Sequence, residues 1–209
     1  MRLLLSSAYL PPVEYFAAIA KYGGALVEAC ENYQKQSYRN RCTILTANGK
    51  MNLNIPVLRG GDDCSHSIPI TAIEIDYQEN WPIRHVRAME AAYRNSPFFE
   101  YYIDDISAIL LRKEKSLFSL NLSLTKLLLG FCGIKADLGL TEEYVADYKD
   151  SAIDLRSRIH PKSKLPSLMK EWGIEKPWWQ VFAPQGFVSG LSIVDLLFNE
   201  GPNAISFLV

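Results

Sequence analysis

The sequence predicts an α/β fold with an α+β tendency, in which residues 1–80 form the α/β part and residues 81–209 are mainly helical. Two short apolar runs near the start flank a segment with helical spacing, which is typical of a βαβ-like unit with a parallel strand pair. The dipeptide Asn48-Gly49 indicates a β-hairpin, and from Trp81 onwards apolar residues recur with helical spacing. We treat residues 1–209 as a single domain.

The composition is that of a folded protein without a nucleic-acid partner. Hydrophobic residues make up 48% of the 209 residues, so a normal core is expected, and the formal net charge of −1 disfavours binding to nucleic acid. The most apolar segment is interrupted by polar residues, so we predict no membrane span. The four cysteines show no paired spacing, which indicates reduced thiols and a cytoplasmic location. Homo-oligomerisation is left open.

The first thirty residues contain the predicted βαβ-like opening. The apolar run in RLLLSSA favours a buried strand, and Pro11 and Pro12 then begin a helix, because proline is tolerated in a first helical turn. Gly23 or Gly24 ends this helix, and ALVEAC forms the second strand. The apolar face of the helix consists of Val13, Phe16, Ala17 and Ala20.

A hairpin and a further strand are expected next. Both positions of a two-residue hairpin turn need positive φ, which the pair Asn48-Gly49 supplies. The strand after the turn alternates, with one face predicted to be buried, and the later segment ITAIEIDY is predicted to be another strand. The predicted buried residues are Met51, Leu53, Ile55 and Val57 in the first of these strands, and Ile73, Ile75 and Tyr77 in the second.

The second half is predicted to contain several helices. One begins at Trp81-Pro82 and ends before Pro97, and two more cover residues 98–112 and 116–132. Residues 145–190 show little periodicity. The segment LSIVDLLFNEG predicts a short final helix with a capping box formed by Ser192 and Asp195. One face of the helix from Trp81 is expected to carry His85, Val86, Met89, Ala92 and Tyr93.

The most unusual segment is ENYQKQSYRNR, Glu31 to Arg41, which has no aliphatic residue and follows the second predicted strand. It should emerge at the same sheet edge as the turn after the first strand, where ligands collect in α/β sheets. Its guanidinium, amide and aromatic groups suit a phosphate, a carboxylate or a sugar. The alternative is a solvated loop with Arg41 paired to a carboxylate. The predicted ligand-binding residues are Tyr9, Tyr33, Lys35, Arg39, Asn40 and Arg41.

Known catalytic fingerprints are missing from the sequence. There is no GxGxxG, no GxxxxGK[ST] and no GxSxG, which argues against a standard dinucleotide fold, a P-loop and a serine nucleophile of the GxSxG type. No cofactor can therefore be predicted.

The three histidines have different surroundings. His85 is the predicted catalytic residue, because an imidazole near a helix start can act as an acid or a base; the alternative is a core histidine with satisfied hydrogen bonds. His66 follows Asp62, Asp63 and Cys64, but the neighbouring glycines favour a loop, and we predict no metal site. His160 accompanies a basic cluster that is either an anion site or a solvated face. That cluster consists of Arg156, Arg158 and Lys162.

Five segments in order from Tyr9 to about Gly201 share a recognisable pattern: AYLPPVEYFAAIAKYG, ENYQKQSYRNRCTILTANGKMNLNIPV, WPIRHVRAMEAAYRNSPFF, DLRSRIHPK and VFAPQGFVSGLSIVDLLFNEG. Taken together, they resemble the WbqC-like protein family. Where the family has Gln-Pro before the tyrosine-proline turn, this chain has Ser6 and Ser7, and of the acidic pair after the second strand only Glu28 and Glu31 are nearby. The positions that match the family pattern are Tyr9, Pro11, Tyr15, Tyr33, Asn40, Arg41, His85, Tyr93, Pro97, Phe98, Ser192, Ile193 and Asp195.

The resemblance implies an association with bacterial surface-polysaccharide (O-antigen) synthesis and a transferase-type reaction on an activated sugar or acyl donor. Two hypotheses follow. In the first, the chain is an enzyme that acts on a sugar or nucleotide-type ligand, with His85 as the acid–base group. In the second, it is a non-catalytic binding or scaffold protein of the same pathway, with an aromatic-rich tail as its partner surface.

Overall fold

The computed structural model describes residues 2–58, 68–183 and 186–209. The strands are β1 (Arg2–Ser6), β2 (Gly24–Glu28), β3 (Arg41–Thr46), β4 (Gly49–Asn54), β5 (Asp137–Leu140) and β6 (Ala152–Asp154). The α-helices are α1 (Val13–Tyr22), α2 (Trp81–Tyr93), α3 (Phe99–Leu111), α4 (Leu117–Phe131), α5 (Leu168–Glu171) and α6 (Ile193–Glu200). Short 3-10 helices cover Ile70–Ala72, Lys149–Ser151 and Gly201–Phe207. This mixture of helices and strands confirms the predicted α/β class.

A four-stranded parallel sheet with the order β5-β2-β1-β6 lies at the centre. β1 is a central strand, with Leu4 opposite Leu26 of β2 on one side and opposite Asp154 of β6 on the other. Its leucines are buried, as expected for a parallel strand that is covered on both faces. Helix α1 connects β1 to β2 and ends at Gly23, whose φ of 72° lets its N–H reach the carbonyl of Ile19 at 2.9 Å. The predicted βαβ-like opening with a parallel pair is confirmed.

Strands β3 and β4 form the predicted antiparallel hairpin, but the two turn residues are Ala47 and Asn48. Gly49 pairs with Thr46 as the first residue of β4 at a φ of 92°, and the positive φ predicted for Asn48 is not found. The predicted buried face of the second strand is only partly confirmed. Leu53 and Ile55 are buried, but Met51 is exposed and Val57 is half-buried. Met51 lies near the turn, where Ala47, Asn48 and Lys50 are also exposed, and Val57 lies beyond the other end of β4.

The strand predicted in ITAIEIDY is wrong. Residues Ile70–Ala72 form a 3-10 helix after Pro69, and the chain then makes only the isolated bridges Val57 to Ile75 and Glu74 to Ser116. Ile73 and Ile75 are buried as the alternation predicted. Tyr77, the third residue of the predicted buried face, is only half-buried, and among the described residues no neighbouring strand pairs with this segment for long enough to form a ladder.

The outer strands of the parallel sheet, β5 and β6, were not predicted. They are four and three residues long and only partly buried, so they carry neither a long apolar run nor a clear alternation. Both belong to the part of the chain that was expected to be mainly helical. Their positions depend on pairing with β2 and β1, which the local sequence does not indicate.

The three long helices match their predictions closely. In α2 the residues Trp81, His85, Met89 and Tyr93 are buried along one face. Helix α4 begins at Ser116, whose hydroxyl accepts the N–H of Ser119 at 3.3 Å. No helix in the described ranges is long and apolar enough to cross a membrane.

The predicted capping box of α6 is half correct. Ser192 caps the helix, since its hydroxyl accepts the N–H of Val194. The carboxylate of Asp195 does not return to the Ser192 backbone, and it instead accepts the Nε1–H of Trp178 and the Nε2–H of Gln180, each at 2.8 Å. Burial raises the pKa of Asp195, and these hydrogen bonds lower it in part. Asp195 therefore anchors the aromatic segment around Trp178 to the core.

Replacing Gly24 with alanine should lower the free energy of unfolding by about 1–3 kcal/mol. A Cβ at this position would lie 2.8 Å from the backbone oxygen of Asp137, inside the β2–β5 ladder. Chemical denaturation measures the effect. Gly139→Ala in the same ladder is the matched control, because its Cβ would meet only the flexible Cδ2 of Leu26, at 2.7 Å. Equal destabilisation by the two variants would contradict the assigned strand pairing.

Candidate functional site

A polar cavity of about 630 Å³ lies beyond the carboxyl end of the parallel sheet. Strands β1, β2 and β6 end at Ser6, Glu28 and Asp154, and parallel strands bring such ends to one edge. The loops that follow β2 and β6 build the walls. We call this cavity the carboxyl-edge pocket; its lining includes Cys30, Glu31, Tyr33, Arg39, Tyr144 and Arg156.

The first wall is a buried ion pair within the polar stretch. Arg39 binds the carboxylate of Glu31 through two bonds, with Nε to Oε1 at 2.8 Å and Nη2 to Oε2 at 2.5 Å. The same Nη2 donates to the hydroxyl of Ser6 at 2.7 Å, which ties the stretch to the end of β1. Arg39 and Glu31 are 3% and 4% exposed. A forked pair of this kind fixes both side chains in one orientation.

The second wall is centred on Arg156, which follows β6. Its Nη1 donates to Oε2 of Glu28 at 2.7 Å, and its Nη2 donates to Oδ2 of Asp154 at 2.5 Å. Glu28 is completely buried, and its other oxygen accepts the hydroxyl of Thr141 at 2.6 Å. Burial alone would lower the pKa of Arg156, but Asp154 and Glu28 outweigh it and raise that pKa. The ring of Tyr144 lies 5.0 Å from the guanidinium.

These groups give the carboxyl-edge pocket fixed charges and aromatic faces. Glu31, Arg39 and Arg156 line the pocket, Glu28 and Asp154 bind Arg156 from outside the lining, and each of the three carboxylates has an arginine partner. Such walls offer hydrogen-bond donors, acceptors and ring faces to a polar ligand such as a sugar. No group of three metal-ligating side chains occurs within the part of the chain that the structure describes. Asp62, Asp63, Cys64 and His66 lie outside the described residues.

An open groove of about 880 Å³ lies on the other side of Tyr33, along the hairpin. Tyr33 lines both this groove and the carboxyl-edge pocket. We call it the hairpin groove; its lining includes Tyr33, Asn40, Asn52, Asn54, Arg84 and His85. Asn40 is held in place by its Nδ2–H, which donates to the carbonyl of Ile55 at 2.9 Å.

His85 forms part of the floor of the hairpin groove. Its Nδ1 lies 2.9 Å from the hydroxyl of Tyr9, and its ring meets Trp81 at a centroid distance of 5.0 Å. Burial lowers the pKa of His85 to about 4; a hydrogen bond with the backbone of Asn54 opposes this shift and the charge of Arg84 adds to it. The imidazole is therefore neutral at neutral pH. Tyr9 is completely buried, and burial raises its pKa well above the usual value.

The predicted ligand-binding residues are divided among different places. Tyr33 and Arg39 line the carboxyl-edge pocket, and Tyr33 and Asn40 line the hairpin groove with His85. Arg41 lines a third cavity, which we call the basic cavity. Its charged and titratable lining residues are Glu14, Arg41, Lys50, Arg158, His160 and Lys162. Tyr9 lies in the core, and the half-buried Lys35 lines none of these three cavities.

Two lining residues of the pocket, Glu31 and Arg156, and the buried Glu28 that binds Arg156 were not predicted as site residues. Glu28 and Glu31 were available as the acidic residues at the end of the second strand, but nothing in the sequence indicated their arginine partners. Arg156 was grouped with Arg158 and Lys162 as one basic cluster. The structure separates them, because Arg156 faces the carboxyl-edge pocket whereas Arg158 and Lys162 face the basic cavity.

The fold and these cavities define an α/β protein with a polar pocket at the carboxyl edge of a parallel sheet. The profile of the WbqC-like protein family matches residues 6–165, and the chain belongs to that family. The "Uncharacterized protein Rv1507c" of Mycobacterium tuberculosis is 27% identical over 225 residues, which cover 98% of this chain and 96% of the relative. No solved structure matches the chain significantly.

Removing Arg156 should destabilise the fold strongly. Arg156→Met leaves Glu28 buried without its partner, which should cost about 3–5 kcal/mol. Adding Glu28→Gln should restore part of this loss, because no unpaired charge then remains on β2. Urea denaturation compares the variants with Arg84→Met, whose pair with Glu79 is exposed and should contribute less than about 1 kcal/mol. Similar losses from Arg156→Met and Arg84→Met would show that the buried pair is not a structural element.

His85 should make stability depend on pH. Its pKa falls from 6.5 to about 4 on folding, so the folded state binds fewer protons than the unfolded state between these values. The resulting stability is present above pH 6.5 and is lost as the pH falls towards 4, by on the order of 3 kcal/mol. The difference in unfolding free energy between the wild type and His85→Gln, measured across this range, isolates the effect. A pH-independent difference would refute it.

Proposed function

We propose that the chain is a transferase-type enzyme that transfers the sugar of an activated sugar donor to an acceptor, in bacterial surface-polysaccharide synthesis in the cytoplasm. The observation that carries the proposal is that Tyr33 lines two cavities at once. A transferase has to hold a donor and an acceptor side by side, and two adjoining cavities that share one wall meet this need. Membership in the WbqC-like protein family is compatible with this reaction, and the polysaccharide context rests on the resemblance described above.

The carboxyl-edge pocket is assigned to the activated donor. Arg39 and Arg156 present guanidinium edges whose positions are fixed by Glu31 and Glu28. The volume of about 630 Å³ lies in the range of small-molecule sites. Tyr33 and Tyr144 supply ring faces for a sugar or a base. In this assignment the buried carboxylates orient the arginines and accept hydrogen bonds from ligand hydroxyl groups.

The hairpin groove is assigned to the acceptor. Asn40, Asn52 and Asn54 bring amide groups to its wall, and amides suit the hydroxyl groups of a sugar. His85 is neutral and serves as the acid–base group. The acceptor oxygen forms a bond to the electrophilic carbon of the donor sugar, and the proton of the acceptor hydroxyl passes to His85. The bond from that carbon to the leaving group breaks, and the leaving group departs with the bonding electron pair.

The second candidate is a non-catalytic binding protein of the same pathway. It is favoured by the hydrogen bonds that His85 already makes, to Tyr9 at Nδ1 and to the backbone of Asn54. It is also favoured by the pairing of Glu28 and Glu31 with arginines. A site with its titratable groups engaged in this way suits binding as well as catalysis. In this candidate the aromatic partner surface includes Trp179, whose ring is exposed, and excludes Trp178, which is buried.

A thermal-shift screen against nucleoside diphosphate sugars, free nucleotides and free sugars tests the proposal. A ligand at one hundred times its Kd should add about 2.7 kcal/mol of stability. The Tyr33→Ala variant should lose the shift, whereas Tyr101→Ala, at a 75% exposed residue outside the three cavities, should keep it. If no member of the panel stabilises the protein, the enzyme loses its support and the non-catalytic binding or scaffold protein is favoured.

Turnover separates the enzyme from the binding protein. With a stabilising nucleotide sugar and a panel of sugar acceptors, the wild type should release the nucleotide, and His85→Gln should bind the donor normally but release the nucleotide at least about a hundredfold more slowly. The rate should decline on the acid side near pH 4, where His85 takes up a proton. Donor binding without release in the wild type would favour the non-catalytic candidate.

A further inference from the structure

The basic cavity has a volume of about 580 Å³ and shares no lining residue with the carboxyl-edge pocket. It lies between the start of α1, the hairpin and residues 158–167. Arg41, the first residue of β3, and Lys50 of β4 reach it from the hairpin. Lys162 reaches it from the loop after β6. Three separate parts of the chain thus bring cations to one cavity.

The partners of these three cations are neutral. Arg41 donates from Nη2 to the backbone oxygen of Gln36 at 2.6 Å, and its buried Nε has no hydrogen-bond partner among the described residues. Lys162 donates to the side-chain oxygen of Gln36, and Lys50 donates to the carbonyl of Ser189 at 2.7 Å. Within residues 2–58, 68–183 and 186–209, none of the three forms an ion pair.

The remaining charged groups do not balance this excess. Arg158 also lines the cavity, but Glu171 offsets its charge through a contact of 2.5 Å. Glu14 is the one carboxylate among the described lining residues. It already accepts the N–H of Leu168 at 2.9 Å, and burial raises its pKa. The cavity therefore has a net positive charge.

The lowered pKa of His160 is consistent with a positive potential in the basic cavity. Burial lowers the pKa of its imidazole, and the charges of Arg39, Arg41 and Lys162 lower it further. Protonation of His160 is thus disfavoured beside the existing cations. An anion in the cavity would relieve the repulsion among them.

We infer that the basic cavity is a binding site for a multivalent oxyanion of the phosphate or diphosphate class. Arg41 supplies a guanidinium with a free Nε–H, and the two lysines supply mobile ammonium groups, which is the donor set that phosphate oxygens prefer. The inference goes beyond the proposed function, because it rests on residues that take no part in the carboxyl-edge pocket. It would hold equally for an enzyme and for a binding protein.

Isothermal titration calorimetry of the full chain at low ionic strength tests the inference, with inorganic phosphate, inorganic pyrophosphate and ADP as probes. Pyrophosphate should bind saturably and more weakly as salt is added, because the attraction is electrostatic. Arg41→Gln and Lys162→Ala should each weaken binding by about tenfold, the effect of losing one charge-assisted hydrogen bond. ADP binding no tighter than pyrophosphate means that the site holds the diphosphate alone. Tighter ADP binding that Lys162→Ala weakens assigns the diphosphate to a nucleotide in the basic cavity, whereas tighter ADP binding that Lys162→Ala leaves unchanged belongs to the carboxyl-edge pocket.

The matched control is Lys115→Ala, which removes an exposed lysine that is paired with Glu74 and lies outside the cavity lining. It should leave the affinity for pyrophosphate unchanged. If Arg41→Gln fails to fold, Lys50→Ala and Lys162→Ala replace it in the test, because both lysines are exposed and their removal should leave the fold intact. The inference is overturned if none of the three probes binds saturably, or if the lysine variants bind pyrophosphate as tightly as Lys115→Ala does.

Discussion

Two buried arginine–carboxylate pairs govern how the loops at the carboxyl edge of the sheet are placed. Arg39 holds Glu31, and Arg156 holds Glu28 together with Asp154. A charge left without its partner in such surroundings is strongly destabilising. The Arg156–Glu28 pair therefore holds the loop after β6 against the end of β2, and the Arg39–Glu31 pair holds the loop after β2 together, because breaking either pair would leave a buried charge without its partner. The same pairing that constrains the fold gives the carboxyl-edge pocket its fixed polar walls.

The polar stretch from Glu31 to Arg41 acts as a partition between three cavities. Arg39 faces the carboxyl-edge pocket, Asn40 faces the hairpin groove, and Arg41 faces the basic cavity. Backbone contacts on both sides hold the partition in place, since the Tyr9 N–H donates to the carbonyl of Tyr38 at 2.8 Å, and the Asn121 amide donates to the carbonyl of Arg39 at 2.7 Å. A run of residues without aliphatic side chains is tolerated here because its polar groups find partners inside the protein. Its polarity thus reflects both its internal hydrogen bonds and its position in the lining of three cavities.

The parts of the fold that were predictable have local signals. Apolar spacing, proline and glycine act over a few residues. They sufficed to predict the βαβ-like opening, the β3–β4 hairpin and the helices from Trp81 to Phe131. The outer strands β5 and β6 lack such signals, because a short strand at a sheet edge is defined by its neighbour. For the same reason Asp195 was assigned to helix capping, while its carboxylate is bound by Trp178 and Gln180 from a segment without periodicity.

The sequence by itself determined the α/β class and the hairpin, because both follow from residue types at fixed local spacing. The family followed from the resemblance of five segments taken in order along the chain. Tertiary structure decided which of the predicted site residues lie together. It buried Tyr9 against His85, directed Arg39 and Arg41 into different cavities, and brought Arg156 to Glu28 across 128 positions of the chain. The physical reason is that a charged or polar side chain takes its role from the partner that it meets after folding. That partner is set by strand order and loop path rather than by its neighbours in sequence.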